Sequence, residues 1–120
     1  MGVVYVDATV SSEAGKRARV RFLVDSGAVY SVLPERIWRR LGLEPKRTLE
    51  FTLVDGTTIE RSVSECRFVY RDVDAFSPVI LGERNDAALL GVITLESMGL
   101  VLNPFERTLQ RMRLRLGALA

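Results

Sequence analysis

The chain has 120 residues, of which 48% are apolar and 27% charged, with a formal net charge of +2. That length builds one ordinary hydrophobic core, so residues 1–120 are read as a single globular domain rather than as a disordered or two-domain chain. The lack of histidine and the lone Cys66 exclude Ser-His and Cys-His catalysis, an internal disulfide and a thiolate metal cage, and the small, scattered positive charge gives no argument for nucleic acid.

The N-terminus lacks the basic start of a signal peptide, and Asp7 breaks its apolar run. Val6 stands where a myristoylation signal needs Ser or Thr. No stretch reaches transmembrane length, so a soluble, cytoplasmic protein with no membrane partner is expected. Gly2 to Val10 reads as a strand, with Val4, Val6 and Ala8 on one face and Val3, Tyr5 and Thr9 on the other. Ser11 to Gly15 is turn-like, and Arg17 to Val24 is a second strand that becomes wholly apolar before Asp25. The two form a predicted hairpin.

Asp25-Ser26-Gly27-Ala28 makes a loop, after which the chain re-enters apolar sequence in a short strand, Tyr30 to Leu33. Pro34 suits the first turn of a helix, because its missing N–H costs nothing there. The helix runs from Glu35 to Leu41, with its acid early, Arg39 and Arg40 late and Gly42 as the stop. Ile37, Trp38 and Leu41 form its inward face, with Trp38 read as a core anchor.

Arg47 to Val54 and Thr57 to Val63 are strands about an Asp55-Gly56 turn, a strong hairpin signal. Glu65 to Tyr70 and Ala75 to Leu81 are two more strands, joined by the charged Arg71 to Asp74. Cys66 falls in the first of them and reads as a small buried hydrophobe. Gly82 to Asp86 is a polar loop. Leu89-Leu90-Gly91 approaches a second helix, Val92 to Met98, closed by Gly99. Leu100 to Leu102 is a strand, Asn103-Pro104 a turn, and Thr108 to Leu116 a last strand. In that strand Met112, Leu114 and Leu116 alternate with Arg111, Arg113 and Arg115, which suits either a soluble edge or a dimer interface. About nine short strands and two short helices make a mainly β domain of barrel or sandwich type.

Asp25 is the candidate reactive group. Asp, Ser and Gly dominate ordinary turns, but this turn has apolar sequence on both sides. A carboxylate there must be hydrogen-bonded, paired or shifted toward its neutral form. Ser26 offers a hydroxyl, and Gly27 allows close backbone approach. A restrained acid without histidine suggests acid–base work on water.

Phe22-Leu23-Val24-Asp25-Ser26-Gly27-Ala28 resembles the active-site signature of retropepsin-like aspartic proteases. The Asp55-Gly56 hairpin lies where that family carries its flap. Leu89-Leu90-Gly91 before a short helix resembles its apolar-apolar-glycine motif. Leu90 to Glu96, running on to Gly99 and Asn103-Pro104, is similar to the ending of small prokaryotic members. Ser26 replaces the commoner Thr, and Asn103 stands where Asp is frequent. Ile80-Leu81-Gly82 is a second apolar-glycine candidate, set below Gly91 because no helix pattern follows it.

The resemblance implies a retropepsin-like closed β-barrel with two short helices, one lobe per chain, and an aspartic endopeptidase working with no metal or cofactor. Two carboxylates would share one water. No other Asp here is followed by Ser-Gly or Thr-Gly, so the second would come from an identical chain in a symmetric homodimer. Ser26, Gly27 and Ala28 would support the loop, and Val54, Asp55, Gly56 and Thr57 would close over a peptide or protein substrate. The alternative is a non-catalytic dimeric β-module of the same fold that binds peptide segments or a partner protein. A nucleic-acid-binding barrel lacks the interleaved aromatics that stacking requires.

Overall fold

The computed structural model describes residues 3–113. The elements, in chain order, are β1 (Tyr5–Ser11), β2 (Arg17–Val24), β3 (Ser31–Leu33), α1 (Glu35–Leu41), β4 (Arg47–Thr52), β5 (Thr58–Tyr70), β6 (Val73–Leu81), β7 (Leu89–Leu90), α2 (Val92–Ser97), β8 (Leu100–Asn103) and β9 (Thr108–Arg111). Seven strands form one sheet in the order β1-β2-β7-β3-β6-β5-β4, and β8 and β9 form a separate antiparallel pair. β1 also pairs β5 at Thr9↔Val69, Val10↔Phe68 and Ser11↔Arg67, so the sheet curls round until its first strand meets its sixth.

The apolar alternation of β1 and β2 turns one face of each inward. Ala8, Val10, Ala18, Val20 and Phe22 are buried there, and Phe22 tilts against Phe68 from β5 at 5.8 Å between ring centres. Leu33, Leu41, Val79 and Leu90 complete the centre of the core. Cys66 is among them, and burial pushes its thiol up to about 12, so it is an inert packing residue.

Several boundaries differ from the sequence reading. The strands placed at Thr57–Val63 and Glu65–Tyr70 are one strand, β5. It pairs β4 over Thr58–Val63 and β6 over Val63–Tyr70, so a change of partner at Val63, rather than a break, separates its halves. Nine strands are nevertheless found among the described residues, because Leu89-Leu90 is itself a strand. The joint before β6 shortens from Arg71–Asp74 to Arg71-Asp72, with Tyr70 paired to Val73 and Arg71 at φ +52°. Pro34 stands just outside α1 in extended backbone, where its carbonyl accepts the N–H groups of Ile37 and Trp38. Gly42 ends α1 in the left-handed region at φ +71°. Trp38 is half-buried against the core, and its indole N–H donates to the Gly82 carbonyl at 2.8 Å.

β1 starts at Tyr5; the predicted start at Gly2 lies outside the described residues. β9 ends at Arg111, with Met112 half-buried and Arg113 exposed beyond it. The predicted continuation through Leu114, Arg115 and Leu116 lies outside the described residues. The Asn103-Pro104 turn is held by the Asn103 Oδ1, which accepts the N–H groups of Phe105 and Glu106 at 3.0 and 3.1 Å. Asn103 therefore has a local structural task.

Candidate active site

β2 and β3 follow each other in sequence but are not neighbours, because β7 lies between them. The chain from Asp25 to Tyr30 must therefore cross over β7. β7 runs parallel to β2, with Leu23 opposite Leu89 and Val24 opposite Leu90. The Leu23 N–H donates to the Ala88 carbonyl at 2.9 Å and the Asp25 N–H to the Leu90 carbonyl at 3.0 Å. The last rung of this short ladder is thus made by Asp25 itself. Its Cα is pinned by the middle of the sheet while its side chain stands free of it.

The loop is a closed turn. The Ala28 N–H donates to the Asp25 carbonyl at 3.1 Å, and the Gly27 N–H donates to Asp25 Oδ1 at 2.9 Å. A Cβ on Gly27 would lie 3.3 Å from that same oxygen, tighter than ordinary packing allows. The half-buried carboxylate therefore has the hydrogen-bond donor that its apolar setting demands. Ser26 and Gly27 are exposed at the crest, and Ala28 is half-buried.

The far side of the loop caps α2. The carbonyls of Ala28 and Val29 accept the N–H groups of Val92 and Ile93 at 2.8 and 3.0 Å. These are first-turn donors that a helix cannot satisfy internally, and Gly91 has no side chain with which to do so. Loop and helix thus complete each other's hydrogen bonding. Gly91 is buried where the chain passes under the loop, and a Cβ there would lie 2.5 Å from the Tyr30 carbonyl carbon.

A buried chain of hydroxyls supports this crossing. The Gly91 N–H donates to Ser31 Oγ at 2.9 Å; Ser31 Oγ lies 2.5 Å from Thr94 Oγ1, and Thr94 Oγ1 2.8 Å from Ser77 Oγ. Ser77 donates onward to the Pro78 carbonyl at 3.1 Å. Each hydroxyl has one proton, so the direction is determined: Ser31 donates to Thr94 and Thr94 to Ser77. Ser31, Thr94 and Ser77 are all buried. Sequence reasoning singled out none of the three. The available signal was a hydroxyl at inward positions, Ser31 between Tyr30 and Val32 and Thr94 beside Leu95.

The β4–β5 hairpin reaches the end of the loop at Tyr30. The strands pair as far as Thr52↔Thr58. Beyond them the Leu53 N–H donates to the Thr57 carbonyl at 2.7 Å, and the Gly56 N–H to the Leu53 carbonyl at 2.9 Å, with Gly56 at φ +87°. The connection is thus longer than the predicted Asp55-Gly56 turn, with the glycine taking the left-handed position after a turn. Asp55 Oδ1 accepts the Thr57 hydroxyl at 2.6 Å and the Thr57 N–H at 3.0 Å. Those bonds hold the Asp55 carboxyl below its ordinary range.

Val54, Asp55, Gly56 and Thr57 are exposed, and contact with the loop comes from just below the hairpin's tip, where Phe51 meets Tyr30 edge-on at 5.9 Å. A cavity of about 290 Å³ opens between hairpin and sheet, walled by Val32, Phe51, Leu53, Ile59, Ile80 and Leu89, with Arg61 and Asp86 beside them. Leu89 ties this apolar space to the strand that carries the Asp25 loop.

The structure therefore brings Asp25, Ser26, Gly27, Ala28, Leu89, Leu90 and Gly91 to one place. The second apolar-glycine run, Ile80-Leu81-Gly82, ends a strand that lies parallel to β3, as β7 lies parallel to β2. Its glycine is buried under α1, where a Cβ would lie 2.9 Å from the Leu33 carbonyl. Among the described residues no three His, Cys, Asp or Glu side chains converge on a metal position, and no helix is long and apolar enough to cross a membrane.

None of the curated proteins matches this chain. Among solved structures, the EIAV protease complexed with the inhibitor HBY-793 superposes with a TM-score of 0.62 at 17% identity, over 82% of this chain and 89% of that one. That likeness shows the fold, which is retropepsin-like. The family described as "gag-polyprotein putative aspartyl protease" matches residues 11–97, a span holding the Asp25 loop, the hairpin, β7 and α2. This chain belongs to that family of retropepsin-like aspartyl proteases.

Proposed function

We propose that the protein is an aspartic endopeptidase whose active form is a symmetric homodimer, with Asp25 of each copy contributing to one site. The observation that carries this reading is the mounting of Asp25: its N–H bonds β7 at 3.0 Å and its carboxylate takes the Gly27 N–H at 2.9 Å. A half-buried carboxylate held this stiffly beside an exposed crest suits general acid–base work.

Two carboxylates a few ångströms apart hold one proton between them, because like charges so close do not both ionise. The ionised Asp25 takes a proton from water as the water oxygen bonds to the peptide carbonyl carbon. The protonated Asp25 gives its proton to the carbonyl oxygen. The Asp25 that took the water proton then gives it to the amide nitrogen while the other Asp25 takes a proton back from a hydroxyl of the tetrahedral intermediate, so the C–N bond breaks, acid and amine leave, and the pair again holds one proton. Water is the only nucleophile, and no covalent enzyme intermediate forms.

The chain has one Asp-Ser-Gly sequence, so the partner carboxylate belongs to a second copy. Ser26, exposed at the crest, would bond across to the partner's loop, and Gly27 would let the loops approach. The hairpin through Val54, Asp55, Gly56 and Thr57 would lie over an extended peptide, and the 290 Å³ cavity would seat one of its apolar side chains. The likeness to a protease solved with an inhibitor supports such a cleft.

The test is a peptide-library digest over a range of pH, with wild type, Asp25→Asn and added pepstatin. Cleavage by wild type, lost in Asp25→Asn and suppressed by pepstatin, supports the assignment. Cleavage unchanged in Asp25→Asn overturns it. A wild-type protein that binds library peptides without cutting them supports the non-catalytic module instead.

A further inference from the structure

Five arginines meet around one concavity of about 400 Å³ on a face lined by none of the residues 25–28, 54–57 or 89–91. Arg19 and Arg21 come from β2, Arg36 and Arg40 from α1, and Arg84 from the loop before β7. Two periodicities assemble them. Alternate residues of a strand share a face, and residues four apart on a helix do the same. All five are exposed.

Like charges at these spacings repel. Elsewhere several arginines are answered by acid, Arg39 by Glu35 at 2.5 Å, Arg61 by Glu83 at 2.7 Å and Arg67 by Asp74 at 2.8 Å, while others, such as Arg17, Arg47 and Arg71, stand apart from one another without an ion pair among the described residues. In the cluster, among the described residues, Arg19 has only a distant pairing with Asp7 at 3.8 Å, and Arg21 lies over the Tyr5 ring at 4.7 Å. Arg36, Arg40 and Arg84 have no ion pair among the described residues. The carboxylate lining the concavity is that of Asp86, and its Oδ2 is already engaged by the Glu83 N–H at 2.6 Å. A chain of net charge +2 thus gathers five positive charges at one hollow.

We propose that this hollow docks an acidic polypeptide segment. Planar guanidinium groups match carboxylates in paired hydrogen bonds, and several around one hollow can take successive acidic side chains. The rest of the lining is Val20, Pro34, Ile37, Asn85, Ala87 and Ala88, with no aromatic ring on which a nucleobase would stack. The proposal stands independently of catalysis by Asp25.

The probe is a fluorescein-labelled peptide of alternating glutamate and glycine, followed by anisotropy with the full chain. Binding should weaken steeply as salt rises from about 50 to about 300 mM, as exposed charge pairs require. Arg36→Glu/Arg40→Glu should weaken it at least about tenfold, and Arg19→Gln/Arg21→Gln should also weaken it. Lys46→Glu/Arg47→Glu makes the same charge change outside the hollow and should leave most of the affinity. All substituted side chains are exposed, and matched circular dichroism melts verify folding. Equal loss in both glutamate double variants, or no binding at low salt, overturns the proposal. So does tighter binding of an oligouridylate that is lost in Arg36→Glu/Arg40→Glu, which would assign the hollow to nucleic acid.

Discussion

Gly91 runs directly beneath Tyr30, so close that a Cβ on the glycine would lie 2.5 Å from the tyrosine's carbonyl carbon and 2.6 Å from its oxygen. The obstruction is backbone, not the end of a flexible side chain. The loop that starts at Asp25 and the strand that ends at Leu90 are thereby locked as a crossing, with the glycine at the point of closest approach. Gly91→Ala forces the crossing apart and should cost about 3 kcal/mol, the upper end of ordinary overpacking. Urea unfolding measures this. A variant with the wild-type midpoint would show that the crossing is loose.

The hydroxyl chain from Gly91 to Pro78 runs in one direction, so its middle member is the sensitive one. Thr94→Val keeps the shape but leaves Ser31 without an acceptor and Ser77 without a donor in a buried place. The expected loss is about 1–3 kcal/mol. Thr94→Ser keeps the hydroxyl and should recover most of it. Equal stability of the two variants would show that the hydroxyl contributes nothing.

The proposed shared site would make activity depend on assembly. On dilution through the dissociation range, the rate should then fall more steeply than in proportion to protein, because in the proposed homodimer a lone chain would hold half of the catalytic pair. Sedimentation on the same samples locates that range. Strict proportionality across it would argue against a site built from two copies.

Asp55 gives the hairpin tip a pH dependence with a definite sign. Its carboxyl is held below the ordinary value of 3.8, first by the Thr57 hydroxyl and then by the Thr57 N–H. The ordering it provides is present above the ordinary value and is lost as pH falls through the lowered one. Carbon-detected NMR of the Asp55 carboxyl should give a midpoint below 3.8, with the Thr57 amide shifting in step. Asp55→Ala should abolish the Thr57 shift. A midpoint at or above 3.8 would mean that those bonds do not form in solution.

Much here was local and therefore readable in the amino acids. The helix from Glu35 to Leu41 is marked by a proline before it, charges that suit its dipole and a glycine after it, all within ten residues of one another. The β1–β2 hairpin follows from alternating apolar residues about a polar turn. In the candidate site, Asp25-Ser26-Gly27-Ala28 was legible because it sets small and polar residues abruptly between apolar runs, whereas Leu89-Leu90-Gly91 joined it only through the resemblance to a known motif. The span of β5 was not, since its change of partner at Val63 depends on β4 and β6 arriving from opposite sides.

Sequence alone determined which stretches extend, which coil, and where an acid stands on a tight turn, because torsional preferences and periodic burial act over a few residues. Only the folded chain decided that β7 slips between β2 and β3, that three hydroxyls from distant segments join beneath Gly91, and that five arginines gather at one hollow. Those outcomes depend on which strand pairs with which and in what register. That is settled by the packing of the whole core, not by any one segment.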